Sequence, residues 1–103
     1  MIVRMWRGWV RTPQAQAYAD YIEATGMTEY RNTPGNNGAQ LLKRDLGDDR
    51  TEIVTLSWWS DVDHIKAYAG DDIEFAKFYP EDDEYLVERE LTANHFVVNS
   101  AAD

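Results

Sequence analysis

Residues 39–59, AQLLKRDLGDDRTEIVTLSWW, contain the pattern on which the fold assignment depends. Two runs rich in apolar residues, Ala39–Leu46 and Thr51–Trp59, flank the short polar segment Gly47–Arg50. Runs of this kind joined by a polar turn are typical of a β-hairpin. We therefore expect two adjacent antiparallel strands in the middle of the chain.

The residues before the hairpin predict one strand and one helix. Ile2–Val10 is short and rich in Val, Ile and Trp, which favours a strand. Thr12 is a suitable helix cap, and the proline that follows it suits the first helical position. Apolar residues then recur at helical spacing, so we predict a helix over Pro13–Thr25 that ends at Gly26.

The residues after the hairpin predict a second helix and a last strand. Ser60 is the expected cap of a helix that Gly70 ends, and the apolar face of this helix consists of Val62, Ile65 and Ala69. Asp72–Phe78 could add a short helical piece. Leu91–Asn99 closes the chain as a strand.

The predicted order β-α-β-β-α-β is that of the ferredoxin-like fold, an α+β fold with a four-stranded antiparallel sheet and both helices on one face. The strands nonetheless carry apolar residues on both faces, for example Val54, Leu56 and Trp58 against Ile53 and Trp59. An exposed apolar sheet face of this size is rare on a monomer. We therefore expect a homodimer in which two sheets pack face to face.

Length and composition limit the classes of function. A chain of 103 residues forms one domain, residues 1–103. A net charge of -9 repels nucleic acid and anionic membranes, and nine acids of Asp71–Glu90 account for most of the acidic excess. There is no cysteine and no continuous apolar stretch at the start of the chain, so we expect a cytoplasmic protein with neither disulfide nor Cys-bound metal.

Several short segments carry a family resemblance that covers nearly the whole chain. They are Arg4–Gly8 in the first strand, Thr33–Asn36, Ser57–Ser60, Ala69–Asp71, Phe78–Asp82 and His95. As a set they resemble the antibiotic biosynthesis monooxygenase family of dimeric α+β barrel proteins. The resemblance implies a barrel made of two chains, with a ligand cleft between the sheet and the helices of each.

The activity that the resemblance implies is monooxygenation without flavin, haem or metal. An electron-rich phenolic or polyketide-like substrate is deprotonated and passes an electron directly to O2. Such a reaction needs a dry aromatic pocket, a base and donors for the developing anion. Trp6, Trp58 and Tyr79 could form the pocket walls.

The candidate polar groups are one histidine and two arginines. His95 could be the base, since histidine titrates near neutral pH. Arg4 or Arg7 could stabilise an enolate or phenolate. Because Arg4 and Arg7 lie on opposite faces of one strand, at most one of them should point into the cleft.

Other functions remain to be compared with this one. The same aromatic cleft would suit a non-catalytic protein that binds a small hydrophobic molecule or is associated with stress. Haem degradation is disfavoured: Trp58 matches that branch of the superfamily, but Ile2–Val10 has no Asn and His64 lies too early in its helix to be the iron ligand. The acids Glu81–Glu84 lack the spacing of a calcium loop and predict a solvated face. We expect neither a cofactor nor a metal.

Overall fold

The hairpin of residues 36–59 belongs to a five-stranded antiparallel sheet in a computed structural model that describes residues 1–102. The strands are β1 (Ile2–Arg11), β2 (Asn36–Gly47), β3 (Arg50–Trp59), β4 (Leu86–Arg89) and β5 (Asn94–Val97). Their order is β2-β3-β1-β4, and β5 pairs with the same edge of β1 as β4. The central strand β1 therefore contacts three of the other four strands.

The helices lie on one face of this sheet, as the ferredoxin-like α+β fold requires. A 3₁₀ turn over Thr12–Gln14 leads into α1 (Ala15–Ile22), a π-helical turn (Glu23–Met27) and α2 (Thr28–Asn32). The other helices are α3 (Val62–Ala69) and α4 (Asp82–Tyr85). The predicted fold class is confirmed. No helix within residues 1–102 is long and apolar enough to cross a membrane.

The hydrophobic core lies between the helices and one face of the sheet. Val10, Ile53 and Trp59 are fully buried there, because side chains alternate along a strand and every second residue of β1 and β3 points towards the helices. Tyr30 and Tyr68 pack on Trp59, with ring centroids 6.2 and 5.7 Å from it. Aromatic side chains thus fill much of the space between the two layers.

The first helix is longer than predicted. Gly26 does not end it, because the backbone stays helical through the π turn and continues to Asn32. Met27 and Tyr30 are buried in the core, and burying these two side chains favours continuation over the weak helix-ending tendency of one glycine. The turn also departs from the regular α-helical spacing, as π-helical turns do.

The cap of α3 differs by one residue from the prediction. The Asp61 side chain, not that of Ser60, accepts the hydrogen bond from the His64 backbone N–H, at 3.0 Å. The Ser60 hydroxyl instead accepts a hydrogen bond from Asn37. The cap residues Ser and Asp are adjacent in the sequence, and both are good caps, so composition alone does not separate them.

The predicted last strand, Leu91–Asn99, is shorter in the structure, where β5 covers Asn94–Val97, and the unpredicted strand β4 makes the sheet five-stranded instead of four-stranded. The possible helical piece at Asp72–Phe78 is absent from the described chain. Two backbone hydrogen bonds join the segments where these differences occur. The Ala76 N–H donates to the Leu91 carbonyl, and the Ala93 N–H donates to the Glu74 carbonyl. These bonds pull residues 91–93 away from β1 and occupy backbone groups that a helix would need.

We expect Trp59→Ala to lower the free energy of unfolding by about 3–5 kcal/mol. The indole is fully buried and its N–H donates to the Ser57 hydroxyl at 2.8 Å. Leu46→Ala is the control, because that side chain is 45% exposed and should change stability by less than about 0.5 kcal/mol. Denaturant titrations followed by circular dichroism measure both values. Equal effects would contradict the core assignment.

Candidate functional site

An open cavity lies between the helix-facing side of the sheet, the first helical segment and residues 76–79. Its empty volume, including the mouth to solvent, is ≈ 450 Å³. β1 contributes Arg4 and Trp6, and the π turn contributes Gly26. Residues 76–79 form a strap without regular secondary structure, and Asp82 lies three residues after its end. Six of the fourteen lining residues are aromatic, and the wall includes groups of both charges.

Arg4 is the principal buried cation of this wall. Only 3% of the residue is exposed, and its guanidinium donates to the backbone carbonyls of Ile73 and Phe75. It forms no ion pair with any carboxylate of residues 1–102. Burial lowers the pKa of Arg4, although the group stays charged because its ordinary value is so high. A buried positive charge thus faces the cavity without an anionic partner.

His95 lies beside Arg4 but not on the cavity wall. The two residues are opposite each other in the β1–β5 pairing, and His95 Nε2 is 2.9 Å from Arg4 Nη1. Because a guanidinium can only donate, His95 Nε2 must accept this bond and the imidazole proton must be on Nδ1. Burial, followed by the Arg4 charge, lowers the pKa of His95. In this arrangement the neutral imidazole holds the guanidinium in place.

Aromatic side chains from opposite sides enclose the cavity. Trp6 makes an edge-to-face contact with Phe78, with centroids 6.1 Å apart, and its indole N–H donates to the Glu90 carbonyl at 2.7 Å. Tyr79 donates its phenolic hydrogen to Glu29, and burial is the largest cause that raises the pKa of Tyr79. Trp6 and Tyr79, both predicted pocket residues, therefore lie on the same cavity.

A buried carboxylate also lines this cavity. Asp82 is 4% exposed; its Oδ1 accepts from the Tyr18 hydroxyl at 3.0 Å, and its Oδ2 accepts from the Tyr79 backbone N–H at 2.7 Å. Burial and the nearby Asp82 charge raise the pKa of Tyr18, so Tyr18 remains a hydrogen-bond donor at neutral pH. The solvated face predicted for Glu81–Glu84 does not extend to Asp82, which is buried.

The strap is fixed at its middle by a second polar group. Lys77 forms an ion pair with Glu29 and donates to the Tyr68 carbonyl at 3.1 Å. Its ammonium lies 4.9 Å from the centre of the Tyr68 ring. Glu29 therefore binds Lys77 and Tyr79 together, and the strap is tied to α2 where it covers the cavity.

Two of the predicted binding residues lie on the opposite side of the sheet. Trp58 pairs with Val3 on the face away from the helices, and it is Trp59 that points inwards. Arg7 also points outwards, where its guanidinium makes a two-point ion pair with Glu90 at 3.0 and 3.1 Å. The expectation that Trp58 and Arg7 contact a ligand in this cavity is therefore corrected: alternation along β1 and β3 excludes both from it.

Sequence reasoning identified three of the fourteen residues of the wall, and three of the eleven that it missed show why. In the sequence, Tyr18 has the spacing of an ordinary core residue of a helix, and Asp82 is one of four adjacent acids. Gly26 reads as a helix stop, whereas an added Cβ there would lie 3.6 Å from the Tyr79 ring. The Phe78–Asp82 motif was one available signal for Asp82, since it belongs to the segments that carry the family resemblance.

Solved structures of other proteins share this fold, among them the following three. A candidate antibiotic biosynthesis monooxygenase from Bacillus cereus superimposes with a TM-score of 0.70 at 11% identity, covering 99% of this chain and 96% of that one. A Streptomyces coelicolor monooxygenase in complex with nanaomycin D gives 0.64 at 15% identity, covering 98% and 89%. The haem degrader MhuD from Mycobacterium tuberculosis, with two haems in its active site, gives 0.60 at 19% identity over 100% of both chains.

These likenesses establish the fold. The chain has the α+β fold of antibiotic biosynthesis monooxygenase-like proteins, and the resemblance seen in the sequence is confirmed at that level. No protein-family model and no curated protein matches the sequence. The neighbours include both monooxygenases and a haem degrader, so the fold alone does not select one activity.

The described residues do not fit a haem ligand set. His64 bonds to Asp61 through Nδ1 at 2.7 Å, and its ring lies against Gly35, outside the cavity. His95 is engaged with Arg4 through Nε2. Within residues 1–102, no histidine lines the cavity and no group of three His, Asp or Glu side chains is arranged to hold a metal ion.

We expect the stability of the protein to fall in mild acid because of His95. Its pKa is lowered from 6.5 in the folded chain, so just below pH 6.5 the unfolded chain binds more protons than the folded one. The free energy of unfolding should therefore decrease as the pH falls from about 6.5 towards the lowered pKa. Well above pH 6.5, His95 is neutral in both states and should contribute nothing to the dependence of this free energy on pH. NMR titration of the imidazole gives the pKa directly. His95→Asn, which keeps an acceptor for Arg4, should remove that part of the slope; an unchanged slope would contradict the assignment.

Proposed function

We propose that the cavity binds a small aromatic molecule with an anionic oxygen held by Arg4. The observation that carries this proposal is the buried guanidinium that faces an aromatic cavity without a carboxylate partner. Burying an unpaired charge is costly, and a phenolate or enolate oxygen would compensate that cost while its ring packs on Trp6 and Phe78. Arginine suits this role because it presents several donors in one plane.

The reaction that best suits such a ligand is oxygenation by O2 without a cofactor. An electron-rich carbanion or phenolate can pass an electron to O2 directly, and recombination gives a hydroperoxide. If a ring CH2 is oxidised to a carbonyl, one oxygen atom enters the product and the other leaves as water, so that O2 accepts all four electrons. The chain would contribute a water-poor site and Arg4 as stabiliser of the anion.

His95 has a specific part in this proposal. As the base, it would have to release Arg4, because Nε2 already accepts from the guanidinium. Its role as the base therefore stays a prediction, and the geometry gives more support to a positioning role. In that role His95 directs Arg4 towards the cavity. The cytoplasmic location expected from the composition also stays a prediction.

Non-catalytic binding of a hydrophobic molecule is the second candidate function. The aromatic side chains of the cavity support it as well. It differs from the oxygenase proposal because ligand binding should then be saturable with no consumption of O2. An oxygen electrode with naphthol and anthrone as trial substrates separates the two. Haem degradation has less support, because no described histidine lies on the cavity wall.

Arg4→Met should weaken the binding of naphthol by about tenfold or more, since hydrogen bonds to a charged group contribute about 1.5–3 kcal/mol. Quenching of tryptophan fluorescence by the ligand gives the affinity. Arg7→Met is the matched control, because it removes the same charge from the same strand on the opposite face. The Arg7→Met variant should bind naphthol with the affinity of the unmodified protein. Equal losses in both variants would contradict a ligand at Arg4.

We also propose that two copies of the chain pack through the face of the sheet that the helices leave uncovered. Met5, Leu56 and Trp58 lie on this face and are only partly buried, and Phe96 beside them is 53% exposed. Ion pairs such as Arg7–Glu90 and Arg44–Glu52 border it. An apolar centre with a polar rim is typical of protein interfaces, and a stable pairing should bury on the order of 2,000 Å² in total.

Sedimentation at micromolar concentration should give twice the chain mass of 11.9 kDa. Trp58→Glu should shift the protein towards the single-chain mass, because a charge at the centre of an apolar interface is strongly unfavourable. Val62→Glu, on an exposed position of α3 that is 40% exposed, should leave the mass unchanged. A single-chain mass for the unmodified protein would remove the dimer proposal.

A further inference from the structure

Two buried groups of opposite charge line the same cavity without forming an ion pair. Arg4 is 3% exposed and Asp82 is 4% exposed. Neither forms an ion pair, with the other or with any charged side chain of residues 1–102. A fold that only needed to neutralise these charges would bring them together. Both therefore remain available to a molecule in the cavity.

Asp82 has unused capacity to accept hydrogen bonds. An ionised carboxylate offers about four lone-pair positions on its two oxygens. Within the described chain two of these are used, by the Tyr18 hydroxyl and the Tyr79 backbone N–H. The neighbouring acids Asp83 and Glu84 are exposed to solvent, so the burial of Asp82 is specific to that side chain and follows from its position against the cavity.

We propose that Asp82 is the acceptor for a hydroxyl group at the far end of the ligand, opposite the oxygen held by Arg4. The ligand class is then an aromatic molecule with two polar ends: an anionic or carbonyl oxygen, and a hydrogen-bond donor across the ring system. This inference rests on the proposed function, since it takes the Arg4 end of the ligand as given. It adds the polarity of the other end and the residue that selects it.

The test compares two probes that differ only in the donor. 4-Hydroxybenzoate has a carboxylate for Arg4 at one end of the ring and a hydroxyl at the other, and 4-methoxybenzoate replaces that hydroxyl with an ether that can only accept. The carboxylate fixes the orientation, because it is repelled by Asp82. We expect the unmodified protein to bind 4-hydroxybenzoate about tenfold or more tightly than the ether, because a hydrogen bond to a charged acceptor contributes that much. Calorimetry measures both affinities.

Asp82→Asn should reduce this preference to within about threefold, because the amide has no charge and offers its own N–H to the ether oxygen. Comparing the ratio of the two affinities between proteins cancels the effect of methyl-group size. Asp83→Asn is the matched control: it removes one charge from the adjacent, exposed position and should leave the ratio at the unmodified value. Equal ratios in the Asp82 and Asp83 variants would overturn the inference.

The remaining outcomes separate the inference from the function on which it rests. If both probes bind and Arg4→Met weakens both, but the unmodified protein does not prefer 4-hydroxybenzoate, the inference is wrong and the proposed function stands. If neither probe binds, both are wrong. If Asp82→Asn fails to fold, Tyr18→Phe replaces it: removing the hydroxyl that donates to Asp82 should increase the preference for 4-hydroxybenzoate, and an unchanged ratio would overturn the inference.

Discussion

The structure depends on one buried guanidinium. Arg4 lies on the central strand and donates to the carbonyls of Ile73 and Phe75, and its neighbour across the strands is His95. Phe75 belongs to the segment 74–76, which forms backbone hydrogen bonds with residues 91–93. Residues 91–93 in turn lie between β4 and β5. Arg4 therefore connects the centre of the sheet, the irregular segment after α3 and the divided edge strand. These are the parts that the regular ferredoxin-like pattern does not determine.

The cavity combines two buried charged side chains, Arg4 and Asp82, with a wall rich in aromatic side chains. The chain has nineteen acidic and ten basic side chains, so the sequence contains enough carboxylates for one to pair with Arg4. The acids near the cavity are instead used elsewhere: Glu29 binds Lys77 and Tyr79, and Asp82 accepts from Tyr18. A buried charge without a partner of opposite charge destabilises the folded state. A buried charged group that lines a cleft and has a shifted pKa, as Arg4 does, is typical of a functional site.

The sequence was sufficient for the fold class and for one part of the site. Alternation along a strand predicted that Arg4 and Arg7 would point in opposite directions, and they do. The same rule did not decide between Trp58 and Trp59, because two adjacent tryptophans suit both faces until the pairing of β3 with β1 is known. Asp82 was not predictable from composition, since its side chain bonds to Tyr18, which is 64 residues away in the sequence. Its second partner, the Tyr79 backbone N–H, is only three residues away, but a backbone group gives no signal in the sequence.

The central strand also connects the two proposals made for the two faces of the sheet. Arg4 and Trp6 face the cavity, whereas Met5 and Arg7, which alternate with them, face the uncovered side. Because side chains alternate with a period of two, β1 cannot shift by one residue without exchanging these sets. Packing a second copy against Met5 would fix the register of β1 and thereby the position of Arg4. The proposed interface and the cavity would thus be specified by one strand, and a substitution that loosens the outer face would then change the position of the guanidinium without touching it.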